Sequence, residues 1–567
     1  MQENIYDNSN IAESYAGATT PLTFSFVRYI YQEAYQCFSR MMGVSDKEIK
    51  NNKDIFEHMV EYIGYRIYYN LTSWYEMLSF FPGHRLSSEF MEKMMGAEKH
   101  NLVREIHHDA FKKYFFYFPK TLLHIIWIFF VFLFLGRRMK KFNIYFDNVF
   151  FKINSINLHT LTLAELKNTY KELDAKLLSQ WRVPIANDFA VMVSAGLADK
   201  LFKKWLDSDD AYSYMRPTAN KPLISLDPGN KIMDIITIIS ADKIIRDLFL
   251  GAHTEEEIMR SLHAAFPTHR VTHEIDAYLR EFGTRMPNEL KLESETLTEN
   301  PKNLITLIKT IMQGELIPEK SSQDKFINSD SINLGLFKRV FLRLLLRWAG
   351  NSICRREEAR FRRALIFGQV RKIFLAIGGK LQQRQCIKNK RDVFYLSVEE
   401  LFNFIGGDKD FELQDAVEQR KQLFIKWKNV ELPRRFETAK SIHEIEQEVL
   451  RHPDPIDKKP VGTLVGSVAS RPNNMHTFSG TAVTLKDFDP SVSFEGKILV
   501  TCQTDPGWTF IFPLLKGIIV ERGGMLSHAA IVARELHIPC IVGVQHATDC
   551  IPNGTQITLD LENGFIT

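Results

Sequence analysis

One histidine near the carboxyl end of the chain, His528, has neighbours that indicate chemistry. The apolar run Gly517–Val520 predicts a buried strand, and Gly523 and Gly524 predict a sharp turn into a helix. Ser527 is a good N-cap, so the histidine falls in the first helical turn, where free backbone N–H groups attract anions. Because a neutral imidazole is nucleophilic near pH 7, this arrangement is typical of a histidine that carries a phosphoryl group.

A histidine at such a turn also has a structural interpretation, as a core or capping side chain, because most histidines carry no chemistry. The wider sequence, ERGGMLSHAAIVARELHIPCIVG at residues 521–543, favours the catalytic interpretation. It resembles the phosphohistidine segment of the phosphoenolpyruvate-utilising enzymes, such as phosphoenolpyruvate synthase, pyruvate phosphate dikinase and rifampin phosphotransferase. The resemblance implies that His528 is the catalytic nucleophile, which becomes phosphorylated and carries the phosphoryl group between two active sites.

A phosphorylated His528 needs an electrostatic cradle, made of backbone N–H groups and cations. We expect this phosphate cradle at Gly523, Gly524, Ser527, Ala529 and Arg534. Arg522 and Asp505 are expected to support it. Asp505 belongs to the TDPGWT segment, residues 504–509, which is similar to a segment of rifampin phosphotransferase-like proteins, but an N-cap or Asx-turn role explains it equally. Leu526 replaces a threonine that dikinases phosphorylate for regulation, so that control is not expected.

The chain before this segment predicts a large helical domain. Residues 160–450 have the period of long amphipathic helices, and residues 11–27 resemble the start of the family's central domain. Prolines and charged residues at 451–460 are typical of an exposed linker. The predicted fold class is therefore multidomain: a large, mainly α-helical acceptor domain at residues 1–450, followed by a small α/β swivelling phosphohistidine domain at residues 461–567. We expect the linker to let the second domain move between two docking positions.

Several local elements are also predicted. Residues 55–100 have a helical period, and Asp392–Leu401 predicts a short extended element and then a helix with a capping box from Ser397 to Glu400. The basic stretches at 338–372 predict amphipathic helices with basic outer faces, which are mainly solvated or, as the alternative, dock an acidic partner or a membrane. Short strands are predicted at Gly462–Val468, Gly480–Leu485, Lys497–Cys502, Gly517–Val520, Pro539–Val544 and Thr555–Leu559.

Two polar features of the helical region are candidate acceptor-site residues. Asn187 and Asp188 interrupt an apolar helix face within a stretch that resembles the central domain of synthase-like members. Arg285 and Glu289 lie in LREFGTRMPNELKL, which resembles a central-domain segment containing a Gly-His-Arg turn, although Thr284 replaces its histidine. A buried Arg–Glu pair that braces a turn is an equally good interpretation.

Composition limits the classes of partner and cofactor. A net charge of +4 over 567 residues does not indicate nucleic-acid binding. The six cysteines are scattered without ligand-like spacing, which predicts a reducing compartment and no metal site. The polar amino terminus has no secretory signal. We therefore expect a cytoplasmic phosphoprotein.

The resemblance also shapes the expected reaction. We find no glycine-rich phosphate loop before residue 11 and no phosphoenolpyruvate-binding barrel after residue 567. We therefore expect no cofactor on this chain, with ATP and Mg²⁺ bound by a separate ATP-grasp partner that phosphorylates His528. The helical domain would then present a hydroxyl or enol acceptor, either a small molecule or a lipid-like alcohol. The alternative is a non-catalytic binding or regulatory protein that retains the swivelling domain for docking.

The segment Phe115–Leu135 is strongly apolar and is followed by Arg137, Arg138, Lys140 and Lys141. Its uninterrupted apolar part, Ile125–Leu135, spans only about 16 Å as a helix, roughly half of a hydrocarbon layer. A buried helix, a membrane-surface or re-entrant anchor and a spanning helix are the three interpretations. The cations suit anionic lipid headgroups or a solvated helix end. If the acceptor is lipophilic, we expect peripheral membrane contact.

Overall fold

The computed structural model describes residues 3–80, 130–206, 211, 215, 224–313, 334–407, 413–451, 464–472, 475–525 and 527–567. The chain divides into two compact units. Unit 1 comprises Met1–Lys200, Leu290–Glu293 and Leu365–Asp457. Unit 2 comprises Leu201–Glu289, Ser294–Ala364 and Lys458–Thr567.

Helices dominate the chain up to Arg451, and strands dominate after it, which confirms the predicted fold class. The described helices are α1 (Pro21–Met41), α2 (Asp46–Asn51), α3 (Lys53–Glu57), α4 (Leu71–Ser79), α5 (Leu135–Asn154), α6 (Leu163–Lys176), α7 (Arg182–Leu206), α8 (Asp227–Ala241), α9 (Lys243–Leu250), α10 (Glu255–Ala265), α11 (Arg270–Phe282), α12 (Lys302–Met312), α13 (Leu336–Gln383), α14 (Val398–Ile405), α15 (Leu413–Lys428), α16 (Ile442–Arg451), α17 (His528–Glu535) and α18 (Ala547–Cys550).

The strands form two sheets. Their bounds are β1 (Asn4–Asp7), β2 (Val60–Ile63), β3 (Arg66–Asn70), β4 (Arg435–Thr438), β5 (Leu464–Val465), β6 (Ser467–Ser470), β7 (Thr477–Leu485), β8 (Ile498–Thr501), β9 (Gly517–Val520), β10 (Cys540–Val542), β11 (Gln556–Asp560) and β12 (Phe565–Ile566). The boundaries predicted for the two domains stay predictions, and of the predicted linker only Arg451 lies within the described residues.

Unit 1 contains an antiparallel sheet in the order β2-β3-β1-β4. The helical prediction for residues 55–100 is therefore wrong at β2 and β3, which form a hairpin. Its turn residues, Gly64 and Tyr65, both have positive φ angles, 53° and 59°. Such turns match the twist of paired strands, and this local turn outweighs the helical spacing of the aromatic side chains. Residues 81–100 lie outside the described part of the chain.

Unit 2 contains a sheet in the order β5-β12-β11-β7-β8-β9-β10-β6. Its centre, β7 to β10, is parallel, and the flanking strands are antiparallel. The strand predicted at Gly517–Val520 is confirmed at those bounds, and those predicted at Gly480–Leu485, Lys497–Cys502, Pro539–Val544 and Thr555–Leu559 are confirmed with shifted ends. The single strand predicted at Gly462–Val468 is wrong, because two separate strands, β5 and β6, lie at opposite edges of the sheet there. Strands β8, β9 and β10 are rich in buried Ile, Leu and Val, as parallel strands covered on both faces require.

Around residue 395 the structure both corrects and confirms the sequence analysis. Residues Lys390–Tyr395 form a 3-10 helix rather than an extended element, because Asn389 and Asp392 close a capping box at its start. The predicted capping box from Ser397 to Glu400 is confirmed at the start of α14.

The apolar segment before α5 is described only from residue 130, so most of the predicted core Ile125–Leu135 lies outside the described residues. Val131 and Leu135 are buried, whereas Phe130, Leu133 and Phe134 are exposed. Among the residues that the structure describes, no helix is long and apolar enough to cross a bilayer.

Candidate functional site

The site forms where two neighbouring strands of the unit 2 sheet end. Strands β8 and β9 are parallel, and their last residues, Thr501 and Val520, are paired in register. Because the carboxyl ends of parallel strands meet at one edge, the segments that follow them lie close together. The first segment carries Thr504 and Thr509, and the second leads to His528. The topology therefore brings these three side chains to one edge of the sheet.

His528 is the first residue of α17, and the Ser527 hydroxyl caps that helix by accepting a hydrogen bond from the Ala530 N–H at 3.4 Å. The imidazole is buried, with 2% of the residue surface exposed. Its Nδ1 lies 3.3 Å from Thr504 Oγ1, and its Nε2 lies 3.0 Å from Thr509 Oγ1. Both ring nitrogens are therefore satisfied by hydroxyl groups.

The hydrogen-bond pattern assigns the ring proton. The Thr509 hydroxyl donates its hydrogen to the Pro506 carbonyl oxygen at 2.8 Å, so towards His528 this hydroxyl can only accept. Nε2 must then carry the proton, and Nδ1 has the lone pair that accepts from Thr504. The two threonines thus hold a neutral imidazole in one tautomer.

Burial lowers the pKa of His528 from its ordinary value of 6.5 to about 3. The positive charges of Arg360 and Arg285 contribute to this lowering, and the negative charge of Glu357 opposes it. The imidazole is therefore uncharged at neutral pH, the form in which histidine is a nucleophile.

We expect the His528 resonances in heteronuclear NMR to stay those of neutral imidazole between pH 8 and pH 5, because its pKa is lowered to about 3. The folded pKa lies below the unfolded value, so this neutral ring contributes stability that is present above pH 6.5 and is lost as the pH falls towards 3. A titration of His528 with a midpoint near 6.5 would contradict the buried geometry.

A buried charged cluster on α13 lies near the imidazole. Glu357 is 2% exposed, and its carboxylate oxygen Oε1 lies 3.3 Å from Arg360 Nη1 and 3.8 Å from Arg356 Nε. Ser225 Oγ donates to Oε2 of the same carboxylate at 3.4 Å. Burial raises the pKa of Glu357, but Arg360 and Arg356 outweigh it and hold the pKa below its ordinary value. Glu357 is thus a buried carboxylate that stays ionised.

The sequence analysis missed these three residues. It predicted solvated basic faces along residues 338–372, which is wrong for Arg356 and Glu357, since they are 6% and 2% exposed. The available signal was the spacing of Glu357 and Arg360, since side chains three residues apart are neighbours on one helix face.

The predicted pair Arg285 and Glu289 lies in the turn after α11. Arg285 Nη1 donates to both Glu289 carboxylate oxygens, at 2.8 and 3.1 Å, and both side chains are 3% exposed. The Arg285 guanidinium also lies 4.8 Å from the centre of the Phe361 ring. Burial raises the pKa of Glu289, an effect that Arg285 and Arg363 oppose. The pair therefore braces the turn, and its arginine also acts on the pKa of His528.

Asp505 joins the threonine segment to this turn. Its Oδ1 accepts from the Gly507 N–H at 2.8 Å, and its Oδ2 accepts from the Asn288 N–H. Burial, and after it the charge of Glu289, raises the Asp505 pKa to about 8. Asp505 thus caps the residues that follow it. It also holds residues 504–514, here called the carrier segment, against the turn that contains Arg285, here called the Arg285 turn.

The charges around His528 favour an anion. Four arginines lie in this region with only two ionised carboxylates, so part of the positive charge is not balanced. Asp505 adds little negative charge, because it is largely neutral at pH 7. These six residues are Arg285, Arg356, Arg360, Arg363, Glu289 and Glu357. A phosphoryl group carries up to two negative charges, so the excess of cations suits it.

The predicted phosphate-cradle residues lie at the turn that precedes α17. Gly523 has a φ of 110°, which only glycine adopts without strain, and Gly524 has open space around its Cα. Ala529 is buried, as is the capping Ser527. Arg534 donates to the Met525 carbonyl oxygen at 2.8 Å, so it braces the glycine turn.

Two further predicted residues adjoin this turn. The Arg522 N–H donates to the Cys502 carbonyl oxygen at 3.0 Å, which ties the start of the turn to the end of β8. Leu526 lies outside the described residues. The cradle role of the whole set stays a prediction.

The other acceptor candidates lie elsewhere. Asn187 is buried and Asp188 is exposed, both on α7 in the part of that helix that belongs to unit 1. Arg285 and Glu289 belong to unit 2, together with His528. The structure therefore brings the second pair to the histidine within one unit, and the role of the first pair stays a prediction.

Comparison with known proteins agrees with this site. Residues 493–564 match the family model described as PEP-utilising enzyme, mobile domain, and residues 185–357 match the model described as rifampicin phosphotransferase fourth domain. The part of the sheet that carries His528, from β8 to β11, is thus similar to a phosphoenolpyruvate-utilising enzyme mobile domain. Over these two regions the chain is similar to rifampicin phosphotransferase and to the other phosphoenolpyruvate-utilising enzymes.

Individual relatives show how far the similarity extends. Rifampicin phosphotransferase of Bacillus cereus is 24% identical over 400 residues, which cover 67% of this chain and 44% of the relative. The Streptomyces sviceus rifampicin phosphotransferase is 25% identical over 384 residues, covering 65% and 42%. Phosphoenolpyruvate synthase of Helicobacter pylori is 45% identical over 87 residues, covering 15% and 11%. The chain spans less than half the length of these relatives.

Proposed function

We propose that the chain is the carrier and acceptor part of a dikinase-type phosphotransferase, in which His528 relays a phosphoryl group from ATP to a hydroxyl or enol acceptor held by the helical region. The observation that carries this proposal is the buried, neutral His528 placed beside the arginine-rich cluster of Arg285, Arg356 and Arg360 within one unit. A structural histidine would not need an anion-binding environment beside it.

In the first step, the lone pair of the His528 imidazole attacks the phosphorus of a nucleotide phosphoryl group. An N–P bond forms to the β phosphorus, the P–O bond to AMP breaks and AMP keeps the electron pair; water then cleaves the γ phosphate from the β phosphoryl group, which leaves one phosphoryl group on the ring. The N–H on the other ring nitrogen stays in place and donates to a threonine hydroxyl. Because the ring is neutral before the attack, no proton has to be removed from it first.

In the second step, the acceptor oxygen attacks the same phosphorus and the N–P bond breaks, which returns the electron pair to the imidazole. The proton of a hydroxyl acceptor passes to a carboxylate, and Glu357 is the proposed base because its charge has the largest electrostatic effect on the His528 pKa. Arg285, Arg356 and Arg360 stabilise the charge on the phosphoryl oxygens during transfer.

The phosphoryl donor is proposed to be ATP with Mg²⁺ on an ATP-grasp protein or domain outside residues 1–567. The greater length of the matched phosphotransferases supports a further region of this kind. His528 must then visit two places, so we propose that the strand-rich carrier region swivels on the segment around residues 451–460.

The test is phosphoryl transfer to the full chain in the presence of a purified ATP-grasp protein and ATP labelled at the β or the γ position. We expect acid-labile, alkali-stable label on the chain, confined to the peptide that contains His528, and no label with ATP alone. If the ATP-grasp protein binds but leaves the chain unlabelled, the alternative of a non-catalytic docking protein is correct.

A further inference from the structure

Helix α5 and the residues just before it have two distinct faces. One face is buried and comprises Val131, Leu135, Met139, Phe142, Phe146 and Ile153, of which the last three pack in the unit 1 core. The other face exposes large apolar side chains, namely Phe130, Leu133, Phe134, Ile144, Tyr145 and Phe151. The exposed fraction reaches 60% for Leu133, just before α5, and 74% for Phe151, within α5. Several large apolar side chains exposed on one face are typical of an interaction site.

Cations lie between these apolar side chains. Arg137, Arg138, Lys140 and Lys141 are all exposed, and residues 130–151 contain one acidic residue, the exposed Asp147, so the face keeps a net positive charge. Within the described part of the chain, none of the four cations forms an ion pair with a carboxylate. The Arg137 guanidinium lies 5.8 Å from the centre of the Phe134 ring, so a cation and an exposed apolar side chain are direct neighbours on this face.

We propose that this face, residues 130–151, docks on an anionic lipid bilayer with α5 lying along the surface. The boundary between headgroups and acyl chains accepts both kinds of side chain at once, because aromatic and aliphatic groups enter the apolar boundary while cations stay among the phosphates. An acidic protein surface would pair the cations but would leave Leu133 and Phe151 in water. This docking uses the solvent-exposed side of a helix whose other side is already packed, so it needs no unfolding.

The experiment is flotation of the full chain with vesicles made of equal parts phosphatidylcholine and phosphatidylserine. Wild type is expected to float with these vesicles, to remain behind with pure phosphatidylcholine, and to lose binding as salt is raised. Changing Arg137, Arg138, Lys140 and Lys141 to Gln is expected to weaken binding more than about 100-fold, since each cation near an anionic surface strengthens binding about fivefold.

A matched control removes the same charge elsewhere: Lys47, Lys50, Lys243 and Lys428, all exposed, are changed to Gln. This control is expected to float as wild type does, whereas changing Leu133 and Phe151 to Asn is expected to weaken binding without loss of folding. Absence of flotation by wild type, or equal loss in the control, would overturn the proposal. Retention of wild type on immobilised polyglutamate without any flotation would assign the face to an acidic protein instead.

The docking is independent of phosphoryl transfer. The variant His528→Asn is expected to float as wild type does, because the histidine and α5 belong to different units. Failure of flotation and failure of His528 labelling are therefore separate results.

Discussion

Changing His528 to Asn is expected to lower the labelling of the chain from ATP, in the presence of an ATP-grasp protein, by more than about 1,000-fold. The side chain that forms the N–P bond is removed, and the amide of Asn is not a nucleophile. Asn still has a donor and an acceptor for Thr504 and Thr509, so the buried site keeps hydrogen-bond partners and the fold is expected to survive.

The matched control is His537→Asn. His537 is exposed, lies in the same segment, and has a φ of 53°, a left-handed conformation that Asn tolerates well. This control is expected to be labelled at the wild-type rate. Acid-labile label that persists in His528→Asn would place the phosphorylated residue elsewhere and would remove the basis for the proposed relay.

Much of the site was predictable because it depends on local signals. The apolar run before Gly523, the two glycines and the Ser527 cap predicted a strand, a turn and a helix at their observed positions. The TDPGWT segment was singled out, but its threonines were not. Their contact with His528 depends on the pairing of β8 with β9, and a single sequence gives the strands without their order in the sheet.

The rest of the site depends on contacts distant in sequence. Glu357 lies 171 residues before His528, and its basic neighbours in the sequence resemble those of a solvated helix. Burial of Arg356 and Glu357 follows from packing in unit 2, which no local pattern reveals. In the same way, the hairpin of β2 and β3 forms because Gly64 and Tyr65 make a tight turn, although the aromatic spacing there suits a helix.

The second large effect is expected from Gly507→Ala, at the point where the carrier segment meets the Arg285 turn. A Cβ added at Gly507 would lie 2.1 Å from the Met286 carbonyl carbon and 2.3 Å from the Pro287 nitrogen. Both are backbone atoms, so no side chain can move aside to make room. We expect the change to cost about 2 to 3 kcal/mol in the packing of residues 506–514 against this turn. The hydrogen bond from the Asn288 N–H to Asp505 is expected to break with it.

The measurement is the pKa of His528 in Gly507→Ala. Separation from the turn exposes the imidazole and removes it from the charge of Arg285, so the pKa is expected to rise from about 3 towards its ordinary value of 6.5. Labelling of His528 from ATP should continue, because the donor reaches the histidine when the carrier segment is free. The control Gly379→Ala, on α13 with open space at its Cα, is expected to leave the pKa at about 3. A pKa that stays near 3 in a folded Gly507→Ala variant would show that contact with the Arg285 turn does not bury the histidine.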